Sequence, residues 1–258
     1  MPINYESVRP FGTAQSSTKP TQASEGGTIQ FRTDLYGGLH TQNTLPGRHA
    51  LALEGSLFGL RHTTFDAATN LAGHAAPVLA DIDDTLTKPL IFLRNIDGVT
   101  SKKRIHLLWL ELYVVTAGAN GTNKLFAMEI DSGTSRYSSG GSALTVVNPN
   151  MQSSESLSSV LYAMGGAVVA TAETSACRKL DRGELRPSIE VAGDRTMFVF
   201  GADAPPAVPA SAAAAVRSDV VRCLPVILGP TDSFLLGIAA ASQSVAGVYH
   251  VRGELAYR

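Results

Sequence analysis

The segment His106-Leu107-Leu108-Trp109-Leu110-Glu111-Leu112-Tyr113-Val114-Val115 decides how this chain is read. Counting on from His106, the even positions Leu108, Leu110, Leu112 and Val114 are all aliphatic, while the odd ones mix in Trp109, Glu111 and Tyr113. Alternate side chains of a strand point to opposite faces, so a period of two with one dry face and one amphipathic face predicts a central β-strand.

Working outward, residues 125–131 alternate again, with Phe126, Met128 and Ile130 on one side and Ala127, Glu129 and Asp131 on the other. Near the end of the chain, Tyr249, Val251, Leu255 and Tyr257 share a face with Gly253 between them, and His250, Arg252, Glu254 and Arg258 share the opposite one. Shorter candidate strands are 50–57, 90–94, 144–147, 188–191, 197–200, 226–228 and 234–239; Phe198 and Phe200 read as core. Turn signals separate them, among them Gly118-Ala119-Asn120-Gly121, Asp131-Ser132-Gly133 and Asn148-Pro149-Asn150. Many short strands with turns between them predict an all-β fold, an antiparallel β-sandwich spanning 29–258, and not alternating βαβ units. Two segments carry helical features. In 156–172 the spacing of Leu157, Val160, Leu161 and Met164 is helical, but Gly165-Gly166 and Val168-Val169 interrupt it; the Ala-rich 210–217 follows three prolines.

Hydrophobic residues make up 44% of the 258, ample for a core, whereas charged residues make up only 17% against a usual share of roughly 25%. A surface so poor in charge suits broad, permanent contacts. The net charge of −1 leaves no electrostatic footprint for nucleic acid. Lys102-Lys103-Arg104 reads as a solvated turn. Cys177 and Cys223 stand far apart with no ligand-spaced partner, so they read as buried, free and non-metal-binding. No signal peptide is expected from the N-terminus, and no uncharged apolar run is long enough for a membrane helix.

Residues 1–28 are rich in Pro, Gly, Ser, Thr and Gln. Such a segment buries too little apolar surface to offset its ordering entropy by itself. It is therefore expected to be an extended arm that orders on neighbouring subunits, with Tyr5, Arg9 and Phe11 as the candidate contact residues.

The sharpest catalytic pattern is Val78-Leu79-Ala80-Asp81-Ile82-Asp83-Asp84-Thr85-Leu86-Thr87. It resembles the first motif of haloacid dehalogenase-like phosphohydrolases, which implies Asp81 as nucleophile and Asp83 as general acid/base beside magnesium. Val191-Ala192-Gly193-Asp194 and Lys179 would then mimic the later motifs. The hairpin patterns of 88–155 run against the parallel sheet that family needs, and Asp194 is not followed by the usual second carboxylate. Asp81, Asp83 and Asp84 lack the spacing of an EF-hand for calcium. Phosphate-loop, dinucleotide, hydrolase-elbow and zincin motifs are absent, and the six histidines are scattered singly. No catalytic, cofactor-binding or metal-binding residues are assigned, and no enzyme activity is expected.

The stretch Leu35-Tyr36-Gly37-Gly38-Leu39-His40 and the block from Gly47 to Phe58 resemble the start of a group of tailed-bacteriophage virion proteins. Further blocks continue the resemblance: Pro89 to Asn95, Trp109 to Val115, and Gly229-Pro230-Thr231-Asp232 through Tyr257. The resemblance implies a jelly-roll-like sandwich behind a polar leader, acting as a protein that decorates or cements a capsid shell. It implies the major capsid protein or other virion subunits as partners, a homo-oligomer with a trimer favoured, and a place in the virion after assembly in the host cytoplasm. Neither nucleic acid nor membrane is an expected partner. The alternative is another head, tail or fibre component with a receptor- or glycan-binding role, against which the 7% aromatic content counts.

Overall fold

The structure, a computed structural model, describes residues 47–62, 71–72, 86, 89–118, 122–132, 136–137, 141–157, 159–163, 176–186, 190–201, 218–241 and 247–258. The predicted arm 1–28 and its contact residues Tyr5, Arg9 and Phe11 lie outside the described residues, as do Asp81, Asp83 and Asp84. One short helix, α1 (Gly47–Leu53), opens the described chain. Then come β1 (Leu57–Arg61), β2 (Leu71–Ala72), β3 (Ile91–Asn95), β4 (Ile105–Thr116) and β5 (Thr122–Asp131). They are followed by β6 (Ser142–Ala143), β7 (Thr145–Val147), β8 (Ser159–Ala163), β9 (Arg178–Arg186) and β10 (Arg195–Phe200). The last four are β11 (Ser218–Cys223), β12 (Val226–Leu228), β13 (Ser233–Ala241) and β14 (Val248–Tyr257).

The fold is all-β, in two sheets. The first runs β11-β10-β4-β14-β1-β7, with β12 pairing on β4 and β2 on β14; the second runs β6-β8-β3-β13-β5-β9. Among the described residues every pairing is antiparallel except that of β10 with β11. The chain changes sheet within a few residues: β6 pairs in the second sheet and β7 in the first, with buried Leu144 between them. This is not the parallel sheet with intervening helices that the phosphohydrolase reading requires.

Side chains of both sheets meet in one core cluster. Phe198 of β10 meets Phe126 of β5 edge-on, with ring centroids 5.3 Å apart, and Phe200 of β10 meets Phe234 of β13 at 5.8 Å. Burying each such side chain contributes about 1.5–3 kcal/mol. Tyr249, Val251, Leu255 and Tyr257 all face this core, as their alternation predicts.

The central strand carries a correction. Leu110, Leu112 and Val114 face the core, but so do Ile105 and Leu107, which have the opposite parity. The β4–β14 register pairs Trp109 with Glu254 and then Leu107 with Leu255, so Leu108 is the extra residue of a bulge. A bulge shifts the alternation by one, and Leu108 turns outward beneath α1, beside Leu51, Leu57 and Ala256.

The helix itself is a second correction, since 50–57 reads as a strand. Ala and Leu are good helix formers, and the chain past Leu53 closes with the αL turn that ends helices. Gly55 has a φ of +73°, Gly55 N–H donates to Ala52 O at 3.0 Å, and Ser56 N–H donates to Leu51 O at 2.9 Å.

The candidate strand 188–191 does not form at its described residues: Glu190 and Val191 belong to the turn before β10. β8 lies inside the segment 156–172 that shows helical spacing, with Arg94 of β3 opposite Val160. The charged β9, with no apolar alternation to announce it, forms the edge of the second sheet beside β5. There Gly183 leaves room for the Phe126 ring, 2.8 Å from where a Cβ would stand.

Candidate functional site

Two places in the fold gather side chains beyond what the core needs. The first is one end of the two-sheet body. Here β4 begins and β14 ends, and β12 closes on them with Leu228 opposite Ile105. Fully buried Asn95, at the end of β3, ties the sheets together. Its side-chain amide donates to Leu228 O (3.3 Å) and Lys103 O (3.2 Å), and its backbone exchanges hydrogen bonds with Thr231 and Asp232.

Loops at this end are held by their own polar side chains. Asn148 and Asn150 donate to Gly55 O (2.9 Å) and Leu53 O (3.1 Å), and accept from the backbone N–H two residues on. An ion pair between Lys103 and Glu155 joins the 148–157 loop to the 96–104 loop. Tyr257 Oη donates to Asp97 at 2.5 Å, and Arg104 and Arg258 pair through their backbones. Lys103 also lies over the Tyr257 ring at 5.0 Å. Lys102, Lys103 and Arg104 are exposed in a loop, the solvated setting that the sequence suggests.

On this fastened frame stand the exposed large apolar side chains of the described residues. Leu53 is 66% exposed, Val99 81% and Met151 99%. Ile96 lies in the same loop as Val99, Val147 leads into the Asn148 loop, and Leu224 and Ile227 flank the start of β12. The loops are ordered by hydrogen bonds, so these side chains are presented to solvent on a fixed base. That arrangement suits contact with another macromolecule.

The second place lies toward the opposite end, between the sheets. Lys124 of β5, Glu190 of the turn before β10 and Tyr249 of β14 are all buried. Lys124 Nζ is 2.9 Å from Glu190 Oε2, and Tyr249 Oη donates to the same oxygen at 2.6 Å. The backbone N–H of Gly118 donates to Glu190 Oε1 at 2.7 Å. A cavity of about 30 Å³, room for about one water, adjoins them and is lined also by Leu112, Val114 and Asp194. Burial pushes the Lys124 ammonium below its ordinary range, with Glu190 opposing, and burial with the Glu190 charge holds the Tyr249 phenol well above its own. Asp194, the mimic of a late phosphohydrolase motif, accepts from Val191 N–H at 2.8 Å and closes the turn in which Gly193 has a φ of +96°. Lys179 is exposed on β9.

A further polar group lies against the second sheet, where the chain after β5 returns to it. Arg136, fully buried, pairs with Glu129 and lies 3.7 Å from Asp131. Cys177 sits 3.6 Å from Glu129, and burial with that charge pushes its thiol up to about 12; burial does the same to Cys223. Both cysteines are free, Cys223 buried and Cys177 half-buried. No group of three potential metal ligands occurs among the described residues, and no described helix is long and apolar enough to cross a membrane.

Sequence reasoning missed Lys124 and Glu190, because nothing in a lone lysine or glutamate announces burial. Tyr249 was visible only as a core residue. The exposed apolar end was missed because its residues sit singly in loops distant in sequence. Compared with protein-family models, with curated proteins and with solved structures, the chain gives no significant match.

Proposed function

We propose that this chain is a structural protein of a viral particle, decorating or cementing the shell through subunit contacts and performing no catalysis. On this reading the two sheets form a jelly-roll-like β-sandwich, homotrimers sit on the major capsid protein within the virion, and residues 1–28 reach to neighbours through Tyr5, Arg9 and Phe11. The observation that carries the reading is the gathering of exposed apolar side chains, Val99 and Met151 foremost, on hydrogen-bonded loops at one end of the body. The low charge of the chain as a whole supports it, since charge-poor surfaces suit broad, permanent contacts.

The test is co-sedimentation with empty heads of the virus that carries the gene, alongside light scattering of the free chain. Wild type is expected to pellet with the heads and to run as a trimer. Val99→Asp with Met151→Asp, at positions too exposed to disturb the fold, is expected to lower binding by at least tenfold. A wild-type chain that stays monomeric and leaves the heads unbound sinks the reading.

A further inference from the structure

The Lys124–Glu190 contact is built like a reaction site more than like an ordinary ion pair. Buried ion pairs recover their desolvation cost only with good geometry and further hydrogen bonds. Here those further bonds are distributed asymmetrically over the carboxyl group. Oε1 receives the Gly118 backbone N–H, while Oε2 receives the Tyr249 hydroxyl and faces Lys124 Nζ. One oxygen thus has the donor that a carbonyl oxygen needs when charge develops on it, and the other has the donor that a departing oxygen needs. Gly247 completes the enclosure, since a Cβ there would land on Glu190 Oε1 and stand 2.8 Å from Tyr249 Oη. Only a residue without a side chain lets β14 close over the carboxyl group.

We propose that Lys124 and Glu190 condense into an intramolecular isopeptide bond, fastening β5 of the second sheet to the turn that starts β10 of the first. The step balances without any co-reactant. A proton passes from Nζ to Oε2 across their contact, giving an amine beside a carboxylic acid. The Nζ lone pair attacks Cδ, and the Gly118 N–H stabilises the charge developing on Oε1. A second proton moves from nitrogen to Oε2, the Cδ–Oε2 bond breaks with the Tyr249 hydroxyl still donating to that oxygen, and one water leaves. Fixed proximity supplies much of the acceleration, since well-oriented intramolecular groups reach effective molarities of about 10⁵–10⁸ M. The adjoining cavity of about 30 Å³ has room for the released water. Burial, by lowering the Lys124 pKa, increases the share of free amine. Tyr249 acts as a positioning residue. The bond would close the body at the end opposite the exposed apolar loops.

The deciding experiment is the intact mass of the full chain under denaturing conditions, which needs no variant. Wild type is expected to be lighter than its sequence by one water, with a digest yielding the Lys124 peptide joined to the Glu190 peptide. Lys124→Arg and Glu190→Ala are expected at full sequence mass. Glu190→Gln is expected to give the same linked product, through loss of ammonia. Tyr249→Phe is expected to accumulate the link at least tenfold more slowly in a time course after synthesis, at unchanged final mass. Folded wild-type protein that keeps its full sequence mass on prolonged incubation overturns the proposal, as does a water loss that maps to any other pair.

Discussion

Replacing Gly253 with alanine tests the bulge that reorganises the central strand pair. Gly253 sits on the core face of β14, opposite Leu110 and one residue before the register shift. A Cβ built there would stand 2.5 Å from the Trp109 carbonyl oxygen, 2.7 Å from Leu110 Cδ2 and 3.0 Å from Leu60 Cδ1. The leucine carbons can rotate away, but the oxygen belongs to the backbone of β4 at the bulge and moves only with the ladder. Glycine-to-alanine changes ordinarily gain about 0.4–1 kcal/mol by reducing unfolded-state freedom. Forcing an extra carbon into a close-packed core costs about 1–3 kcal/mol. The net expectation is a loss of about 1–2 kcal/mol. Gly59, on neighbouring β1, is the control: its nearest atom would be Val147 O at 3.8 Å, an ordinary contact. Gly59→Ala is therefore expected to be neutral or to gain up to about 1 kcal/mol. Urea unfolding of both variants beside wild type, with slopes confirmed equal, reads the difference directly. If both variants shift in the same direction by the same amount, the tight passage at Trp109 does not exist and the bulge assignment falls with it.

Three further outcomes follow from the same geometry. Truncating Phe198→Ala removes a fully buried ring that meets Phe126 of the other sheet, and is expected to cost about 3–5 kcal/mol in the same urea assay; a loss below about 1 kcal/mol contradicts packing between the sheets. His250 is held neutral by burial, by His62 and by Arg252, with Glu111 opposing, so its folded pKa lies below the unfolded 6.5. The stability from keeping it neutral is fully present above pH 6.5 and is lost as pH falls through the lower folded value, so His250→Gln is expected to flatten the decline of the thermal midpoint below pH 6.5; His106, lowered by burial and by Arg258 and Arg104, carries a remaining share. An unchanged slope refutes that assignment. Iodoacetamide at neutral pH is expected to leave both cysteines intact in the folded chain and to label both in denaturant, because thiols pushed up to about 12 offer little thiolate; rapid native labelling of either, read by mass spectrometry, contradicts it.

Local patterning along the chain was enough to specify strands and much of the core. The alternation in 106–115, 125–131 and 249–257 required strands, and side chains spaced by two named most of the core they build, including Phe126, Met128, Val251 and Leu255. Pairing and depth emerge only in the folded chain. The period of two does not show the extra residue at Leu108, because a bulge is a property of two strands together. Residues 50–56 form a helix and a turn where a strand was expected, and only Leu57 begins one, because Gly55 can take a positive φ that ends a helix, and α1 covers Leu57, Leu108 and Ala256. The charged β9 becomes a strand because β5 offers it an edge, which no local propensity records. Glu129 and Asp131 read as the polar side of a strand, yet both are buried, since Arg136 arrives to pair with them. Lys124 and Glu190 likewise come together only through the pairing of β5 with β9, which sets Lys124 opposite Arg186, and the turn that leads from β9 into β10. Burying a charge depends on a partner from distant sequence, so it becomes legible only once the chain has folded.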